Sequence, residues 1–414
     1  MKVAGLFAGI GGLELGLSRA GHETVFFCEN SEPAQAVLRA RFPGTPILPD
    51  DEPDRVGDID HLHALPDDVD LVCAGFPCQD LSQAGRTIGI DGARSGLVGK
   101  VFELLKARSV PWVLLENVPF MLQLDAGRAM DRLATEFERL GYGWAYRIVN
   151  SLAFGLPQRR ERVIFLAVHS KEQASPADVL FADETTPPEM RTALGERAHG
   201  FYWTEGTRGL GWAVDSIPTL KNGSTVGIPS PPAVLLPDGR IIKPHIEDAE
   251  RLQGFDAGWT EPAAEQHRPS LRWTLIGNAV STPVARWVGD RLQNPHCYDE
   301  APDRDWPKDG RWPKAAHGRA GRRRAVQISS FPIWLDRLPL DRFLRHVGKE
   351  QHLSSKATAG FLRRLSRSSL RADGARDHLL ALVQAHLRRM REQERDLSSS
   401  DLDRARLGAL EAFV

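Results

Sequence analysis

The sequence predicts an α/β protein: a doubly wound sheet, a small β-rich domain inserted into it, and a helical appendage at the C-terminus. Residues 1–168 alternate short apolar runs with helical stretches, as buried parallel strands and their crossover helices do. Residues 170–265 lose this rhythm and become rich in Pro and Gly. Residues 376–395 are amphipathic. The apolar face of that last helix holds Leu379, Val383, Leu387 and Met390.

The individual elements follow from apolar runs bounded by turn residues. The predicted strands are Val3–Phe7, Thr24–Cys28, Asp70–Ala74, Trp112–Glu116, Tyr146–Asn150 and Val163–Val168. Helices are expected over Val101–Arg108 and Arg128–Leu140, and Ser281-Thr282-Pro283 predicts the start of another that reaches about Leu292. The predicted domains are 1–169, the inserted 170–265, the returning 266–296, a basic linker 297–330 and the appendage 331–414.

Composition excludes several classes of protein. The chain has 414 residues, of which 42% are hydrophobic and 26% charged, so it is not wholly disordered, collagenous or coiled-coil. It contains no run near the ~18 apolar residues of a membrane span, and its first residues do not resemble a secretory signal. Four cysteines without a Cys-x-x-Cys pair predict reduced thiols, no metal site and a cytoplasmic location.

The charge is unevenly distributed along the chain. The net charge is −1, but residues 301–414 carry +10 and the first 300 residues carry −11. The main body is therefore no general polyanion binder, and a nucleic acid would have to bind in a local basic cleft. The basic tail indicates phosphate-backbone binding, a partner surface or a solvated helical appendage, and charge alone does not choose among them.

A glycine-rich loop follows the first predicted strand, in Phe7-Ala8-Gly9-Ile10-Gly11-Gly12-Leu13-Glu14. Such a loop lets the backbone approach a ligand closely, and Glu29, at the end of the second strand, can accept hydrogen bonds from a ribose. This pattern predicts a nucleoside-cofactor site. Glu14 stands where a dinucleotide motif has its third glycine, which disfavours a dinucleotide; the alternative is a bare turn with an exposed Glu14.

Further polar groups follow the next strands at the same sheet edge. Asp58, in Gly57-Asp58-Ile59, is either a contact for an adenine amino group or part of a plain turn. Cys78 follows the strand Asp70–Ala74 and is expected to be exposed to the cleft as a nucleophile, whereas Cys28 and Cys73 lie within strands as small apolar residues. The glycine-punctuated loop after Cys78 is either a lid or an exposed loop.

An acid and two arginines complete the set of candidate groups. Glu116 ends an apolar strand, where burial would favour the protonated form and let it donate a proton; the alternative is a helix cap. Arg160 and Arg162 share one face of an extended segment and Arg159 faces away. Two fixed guanidinium groups suit a base carbonyl and a phosphate, although a solvated edge strand would show the same charges.

Taken in order, these segments resemble the cytosine-C5 DNA methyltransferase family over residues 1 to about 295. The matching segments are Phe7 to Leu13, Glu29, Gly57 to Ile59, Phe76-Pro77-Cys78-Gln79, Arg94 to Leu97, Glu116-Asn117-Val118, Gln158 to Val163, Glu250 to Phe255, and Gly277 to Val280. The resemblance implies a Rossmann-like domain over 1–169 that binds S-adenosylmethionine (AdoMet), and a target-recognition domain over 170–265.

The resemblance also implies a mechanism and a set of contacts. Cys78 would add to C6 of a flipped cytosine, Glu116 would donate to N3, Arg162 would hold O2, and Arg160 would support the site or a phosphate. The implied AdoMet contacts are Phe7, Gly9, Gly11, Leu13, Glu29, Asp58, Ile59, Leu97, Asn278 and Val280. The candidate DNA contacts are Ser82, Arg94, Arg208, Lys221, Asn222, Ser224 and Thr225.

The family points to double-stranded DNA as the partner, and to restriction–modification or phage defence, with cognate restriction or defence components, as the role. Neither a membrane nor a metal is expected. Three alternatives remain open at this point: a tRNA cytosine-5 methyltransferase, a non-catalytic AdoMet-dependent DNA-binding regulator, and a nicotinamide oxidoreductase of similar fold.

Overall fold

The computed structural model describes residues 1–76, 96–189, 194–205, 209–221, 231–307, 309–367 and 375–411. The chain divides into two compact units, each built from two stretches of sequence. The first unit combines Met1–Pro188 with Ala249–Arg337, and the second combines Glu189–Asp248 with Leu338–Val414. No described helix has the length and apolar content that a membrane span requires.

The described strands and helices are as follows. The strands are β1 (Lys2–Leu6), β2 (Glu23–Cys28), β3 (Leu71–Ala74), β4 (Trp112–Asn117), β5 (Tyr142–Asn150), β6 (Gln158–Arg159), β7 (Glu161–His169), β8 (His199–Phe201), β9 (Ala213–Val214), β10 (Ile217–Pro218), β11 (Ala233–Leu235), β12 (Ile241–Ile242), β13 (Asp303–Arg304), β14 (Ala315–Arg319) and β15 (Arg322–Val326). The α-helices are α1 (Gly12–Arg19), α2 (Glu32–Arg41), α3 (Leu97–Ala107), α4 (Arg128–Arg139), α5 (Pro176–Leu180), α6 (Ile246–Leu252), α7 (Glu261–Gln266), α8 (Leu271–Asn278), α9 (Thr282–Gln293), α10 (Leu340–Phe343), α11 (Ser355–Ser366) and α12 (Ala375–Glu411). Short 3-10 turns cover Ile59–His61, Pro119–Leu122, Leu124–Gly127, Ser151–Ala153 and Lys349–Gln351.

A nine-stranded mixed sheet forms the centre of the first unit, in the order β13-β15-β14-β5-β7-β4-β3-β1-β2. Strands β2, β1, β3 and β4 are parallel neighbours. Successive residues of β3 pack into two different cores, Val72 and Ala74 on one face and Leu71 and Cys73 on the other. Both faces are therefore covered, and the predicted Rossmann-like α/β class is confirmed.

The sheet departs from a fully parallel arrangement at β7, which lies antiparallel to both β4 and β5. The chain between β5 and β7 is short, whereas a parallel connection would need a crossover of a dozen or more residues. The strand therefore returns directly beside its predecessor. This brings the start of β7 next to the carboxyl end of β4, where Asn117 pairs with Val163.

The predicted basic linker, 297–330, differs most from the structure, because it contains β13, β14 and β15. Strand β14 pairs antiparallel with β5 and extends the large sheet. Arg323 of β15 lies 2.5 Å from an Asp131 oxygen and 3.2 Å from Glu138, both on α4. The basic residues of this segment form part of an ordered sheet because Arg323 pairs with acidic residues that lie far away in the sequence.

The second unit also differs from the predicted division, because residues 338–414 share it with 189–248. Its four-stranded sheet has the order β12-β11-β8-β9. Phe361 of α11 stacks on Phe201 of β8 with ring centroids 4.9 Å apart, and both side chains are fully buried. The predicted apolar face of α12 is buried, as expected for an amphipathic helix. The C-terminal helices therefore complete this core rather than form a separate appendage.

Candidate active site

The carboxyl ends of β1 to β4 border a cavity of about 500 Å³ in the first unit. This is the edge at which open α/β sheets bind ligands. Among the predicted residues that the structure describes, those lining the cavity are Phe7, Gly9, Leu13, Glu29, Ile59, Leu97, Glu116, Arg160, Arg162, Asn278 and Val280. One cavity therefore brings together the residues expected to bind cofactor and the described residues expected to act on the base.

Glu29 connects the loops that follow β1 and β2. Its two carboxylate oxygens accept N–H groups from Gly9, at 2.7 Å, and from Ser31, at 2.8 Å. Burial raises the pKa of Glu29, and the backbone donors oppose this rise by favouring the charged form. Gly9 has a positive φ of 56°, with open space where a side chain would begin. The wall here is exposed backbone beside a carboxylate, which suits a ribose.

Two predicted cofactor residues do not line the cavity. Gly11 precedes α1 with φ 78°, and a side chain there would reach the Phe42 ring at the back of the loop. Asp58 caps the 3-10 turn Ile59–His61, because its carboxylate accepts the Asp60 N–H at 3.0 Å and lies 2.9 Å from His61 Nδ1. Both residues shape the loops around the cavity, and neighbouring Ile59 provides the contact surface.

Glu116 and Arg162 form an ion pair in the cavity wall. Glu116 Oε1 lies 2.8 Å from Arg162 Nε, and the two side chains are 9% and 14% exposed. Strands β4 and β7 place them side by side through their antiparallel register. Burial strengthens the attraction between a carboxylate and a guanidinium, so the pair holds both groups in fixed positions. Asn117, the next residue, donates to the Phe76 carbonyl at 2.9 Å and ties the end of β3 to this wall.

Arg160 has a different role from Arg162, because its side chain is only 1% exposed. Its guanidinium donates to the carbonyl of Ala279 at 2.7 Å and reaches that of Gly277 at 3.4 Å. These carbonyls flank Asn278, which lines the cavity. Arg160 therefore holds the returning segment in position.

The same returning segment is held by Gln253, which sequence reasoning did not single out as a site residue. Its amide donates to the Ile276 carbonyl at 3.0 Å, and its Oε1 accepts from Ser281 at 2.9 Å. Gln158 donates to the carbonyl of Leu252 at 2.9 Å. All three polar side chains are buried. The available signal was Gln253 itself, a polar residue inside the matching segment Glu250 to Phe255.

Glu14 lies beneath the glycine-rich loop and is 1% exposed, so the alternative of an exposed glutamate is wrong. Cys73 Sγ donates to Glu14 Oε1 at 3.5 Å, and a side chain at Gly5 would overlap the carboxyl group. Burial raises the pKa of Glu14 to about 7.

Cys28 is also buried, and its pKa is raised to about 12 by burial. Cys28 and Cys73 are therefore structural, as predicted.

Several predicted site residues lie outside the described residues: Cys78, Ser82, Arg94, Arg208, Asn222, Ser224 and Thr225. Phe76, two positions before Cys78, lines the cavity. Lys221, the one described candidate for a DNA contact, lies 2.5 Å from a Glu205 oxygen and 3.9 Å from the centre of the Tyr202 ring. Its charge is therefore already paired within the second unit.

Comparison with known proteins identifies the family of this chain. The family model for C-5 cytosine-specific DNA methylases matches residues 1–209. The type II methyltransferase M2.BsuMI of Bacillus subtilis is 45% identical over 379 residues, which are 89% of this chain and 94% of that protein. The type II methyltransferase M.HaeII of Haemophilus aegyptius is 35% identical over 71% of this chain and 93% of its own length.

A solved structure supports the fold independently. The Dnmt2 methyltransferase of S. pombe aligns with a TM-score of 0.50 and 16% identity over 71% of this chain and 98% of its own. At that identity the likeness concerns the fold alone, and the sequence relatives carry the assignment. The chain therefore belongs to the C-5 cytosine-specific DNA methylase family, and it is a DNA cytosine-5 methyltransferase.

Proposed function

We propose that this enzyme methylates cytosine within a short recognised sequence of double-stranded DNA, using AdoMet as donor and Cys78 as nucleophile. The observation that carries the proposal is the buried Glu116–Arg162 pair, which shares one cavity with the glycine-rich loop and Glu29. A paired acid and guanidinium can engage N3 and O2 of the same pyrimidine edge. The residues for cofactor and base therefore stand within reach of one another.

The cavity fits AdoMet in size and in chemistry. About 500 Å³ is within the usual range of ligand pockets, ~300–1,000 Å³. Glu29 offers a carboxylate to the ribose, and Ile59 and Leu97 offer apolar surface to an adenine. A side chain at Gly57 would overlap the carbonyl of Glu29, so this tight turn keeps the wall in place. When bound, AdoMet supplies an electrophilic methyl group.

The chain's own residues then have distinct tasks. The thiolate of Cys78 forms a bond to C6 of a cytosine that has been flipped out of the duplex, because C6 is inaccessible in stacked DNA. Glu116 donates a proton to N3 as negative charge develops there, and Arg162 holds O2. Carbon 5 becomes nucleophilic and gains the methyl group. A base then removes the C5 proton, the C5–C6 double bond re-forms as Cys78 departs as a thiolate, and the proton on N3 returns to Glu116.

We propose a role in restriction–modification or phage defence, in the cytoplasm and on nucleoid DNA, with a cognate nuclease or defence component. The support is that the relatives reported above are named type II methyltransferases. The enzyme would mark host DNA so that the partner spares it.

The test is replacement of Cys78 by serine in the full chain. Bisulfite sequencing of DNA from cells expressing the wild-type chain should reveal cytosines protected in one sequence context. Cys78→Ser should abolish this protection while the purified variant still binds AdoMet, because Cys78 acts on the base. Cys297→Ser is the matched control, since Cys297 is an exposed free cysteine outside the site.

Two results would overturn the proposal. One is unchanged protection in Cys78→Ser. The other is folded wild-type protein that transfers label from AdoMet to tRNA but not to duplex DNA.

A further inference from the structure

We infer that the second unit holds a Zn²⁺ ion between His245, Glu247 and His346. One ligand atom from each residue lies within 4.8 Å of the other two, and all three residues are half-buried. Two imidazoles and one carboxylate form a known set of protein ligands for zinc. The cluster lies outside the cavity described above, and the inference is independent of methyl transfer.

The side chains are already close to the spacing of a zinc site. His346 Nε2 lies 3.6 Å from Glu247 Oε2. Around a tetrahedral ion with bonds of ~2.0–2.1 Å, two ligand atoms lie about 3.3 Å apart. The rings of His245 and His346 face each other with centroids 4.2 Å apart and planes 35° apart. The three ligand atoms, now within 4.8 Å of one another, would meet at one ion after side-chain rotation.

Asp248 gives a second, independent reason to place a metal here. Its carboxylate is fully buried and accepts the backbone N–H groups of Arg345 and His346, each at 3.0 Å. Its Oδ2 also lies 3.2 Å from His346 Nδ1. A carboxylate in this position can accept the ring N–H at Nδ1, which would make Nε2, on the Glu247 side, the atom that binds the ion. Histidines that bind metals are usually oriented in this way.

The location of the cluster defines what the ion would do. His245 and Glu247 lie at the start of α6, whereas His346 follows α10, about a hundred residues later. These are the two stretches of sequence that together build the second unit. An ion bound to both would cross-link them and stabilise this unit. The sequence predicts no metal because it has no cysteine pair, and this cluster contains no cysteine.

The experiment uses the full chain without an affinity tag, stripped with a chelator and titrated with ZnCl₂ in a calorimeter. We expect about one tightly bound zinc per chain, checked by elemental analysis after desalting. His346→Ala and His245→Ala should each weaken zinc binding by at least about tenfold, and Asp248→Asn by about 10–100-fold. His378→Ala is the matched control, because His378 is exposed on α12.

Thermal unfolding provides the second readout. Zinc should raise the melting temperature of the wild-type chain and of His378→Ala, but not that of the His245→Ala/His346→Ala double variant. Far-UV circular dichroism of each stripped variant checks that it is folded. The inference is overturned if the folded double variant binds zinc as tightly as the wild-type chain, or if the wild-type chain binds none.

Discussion

Glu116 and Arg162 are the residues whose chemistry the structure defines most closely. Their 2.8 Å pair places a carboxyl group and a fixed cation in one wall. Glu116→Gln keeps the shape and the hydrogen-bonding capacity but cannot donate a proton to N3. We expect kcat for DNA methylation to fall by at least about 100-fold, because general acid catalysis typically contributes 10²–10⁴-fold. Transfer of labelled methyl groups from AdoMet in single turnover measures this effect.

A neighbouring glutamate provides the control for this substitution. Glu161 precedes Arg162 but is exposed, so Glu161→Gln removes the same charge without touching the pair. It should retain nearly full activity. AdoMet affinity should be unchanged in both variants, since the proposed role of Glu116 is toward the base. Equal losses in the two variants would show that charge near β7, rather than proton donation, controls the rate.

Glu14 makes the stability of the protein depend on pH in a defined direction. Its pKa is raised to about 7 by burial, against an ordinary value of 4.5. Between these two pH values the folded chain binds a proton that the unfolded chain has lost, so stability falls as pH rises through this window. The total is about 3 kcal/mol, because each unit of pKa is worth ~1.4 kcal/mol. Glu14→Gln, neutral at every pH, should lack this loss.

Urea unfolding at several pH values from 5 to 8 checks this prediction. The free energy of unfolding of Glu14→Gln, relative to wild type, should increase between pH 5 and pH 8 by about 2.5 kcal/mol of the total. Glu23→Gln is the matched control, because Glu23 is exposed in the same unit. Parallel curves for Glu14→Gln and wild type would mean that Glu14 is ionised in the folded chain throughout.

At the scale of elements, α1 presents the glycine-rich loop, and its position depends on close packing against α9. A side chain at Gly16 would overlap the Ala285 side chain and the Thr282 carbonyl. Gly16→Ala should therefore lower the free energy of unfolding by about 1–3 kcal/mol, as overpacking does. AdoMet binding should weaken in the same variant because the loop is displaced. Urea unfolding and calorimetry measure the two effects.

For a second helical glycine, Gly360, we expect substitution by alanine to raise the free energy of unfolding instead of lowering it. A side chain at Gly360, in α11, would meet only the end of Arg364 at 3.5 Å, an ordinary contact. Gly360→Ala should therefore stabilise the chain by about 0.5–1 kcal/mol through helix propensity alone. If both substitutions stabilise the chain, the α1–α9 contact is looser than the structure shows.

Sequence patterns predicted the elements whose residues are uniformly apolar, and failed where charges compensate each other at a distance. Strands β1, β3 and β4 are continuous apolar runs, so the sheet edge and its glycine-rich loop could be predicted. Arg323 in β15 looks solvated in sequence, and only its pairing with Asp131 and Glu138 on α4 makes it part of the sheet. Arg160 likewise resembles a ligand contact until its burial against Ala279 is known.

At the scale of the whole molecule, the same limit applies to the C-terminal tail. Its amphipathic helix predicts a separate appendage, since the sequence does not show which apolar faces meet. The structure pairs α11 and α12 with β8 and β11 in one core. The segment inserted after the catalytic sheet thus obtains much of its core from the end of the chain. The second unit should lose its stability when the tail is altered, even though none of the tail residues that the structure describes lines the cavity.

Phe361→Ala tests this dependence. The side chain is fully buried against Phe201, and its loss should cost about 3–5 kcal/mol within the second unit. Hydrogen exchange should then show reduced protection over 199–242, while β1 to β4 stay protected and AdoMet binds with unchanged affinity. Lys356→Ala, an exposed change on the same helix, should leave both regions as in wild type.

Methylation of the recognised sequence should decline in Phe361→Ala alone, because the proposed target-reading residues lie in that unit. Unaltered hydrogen-exchange protection over 199–242 in Phe361→Ala would mean that β8 and β11 are stable without packing against the tail.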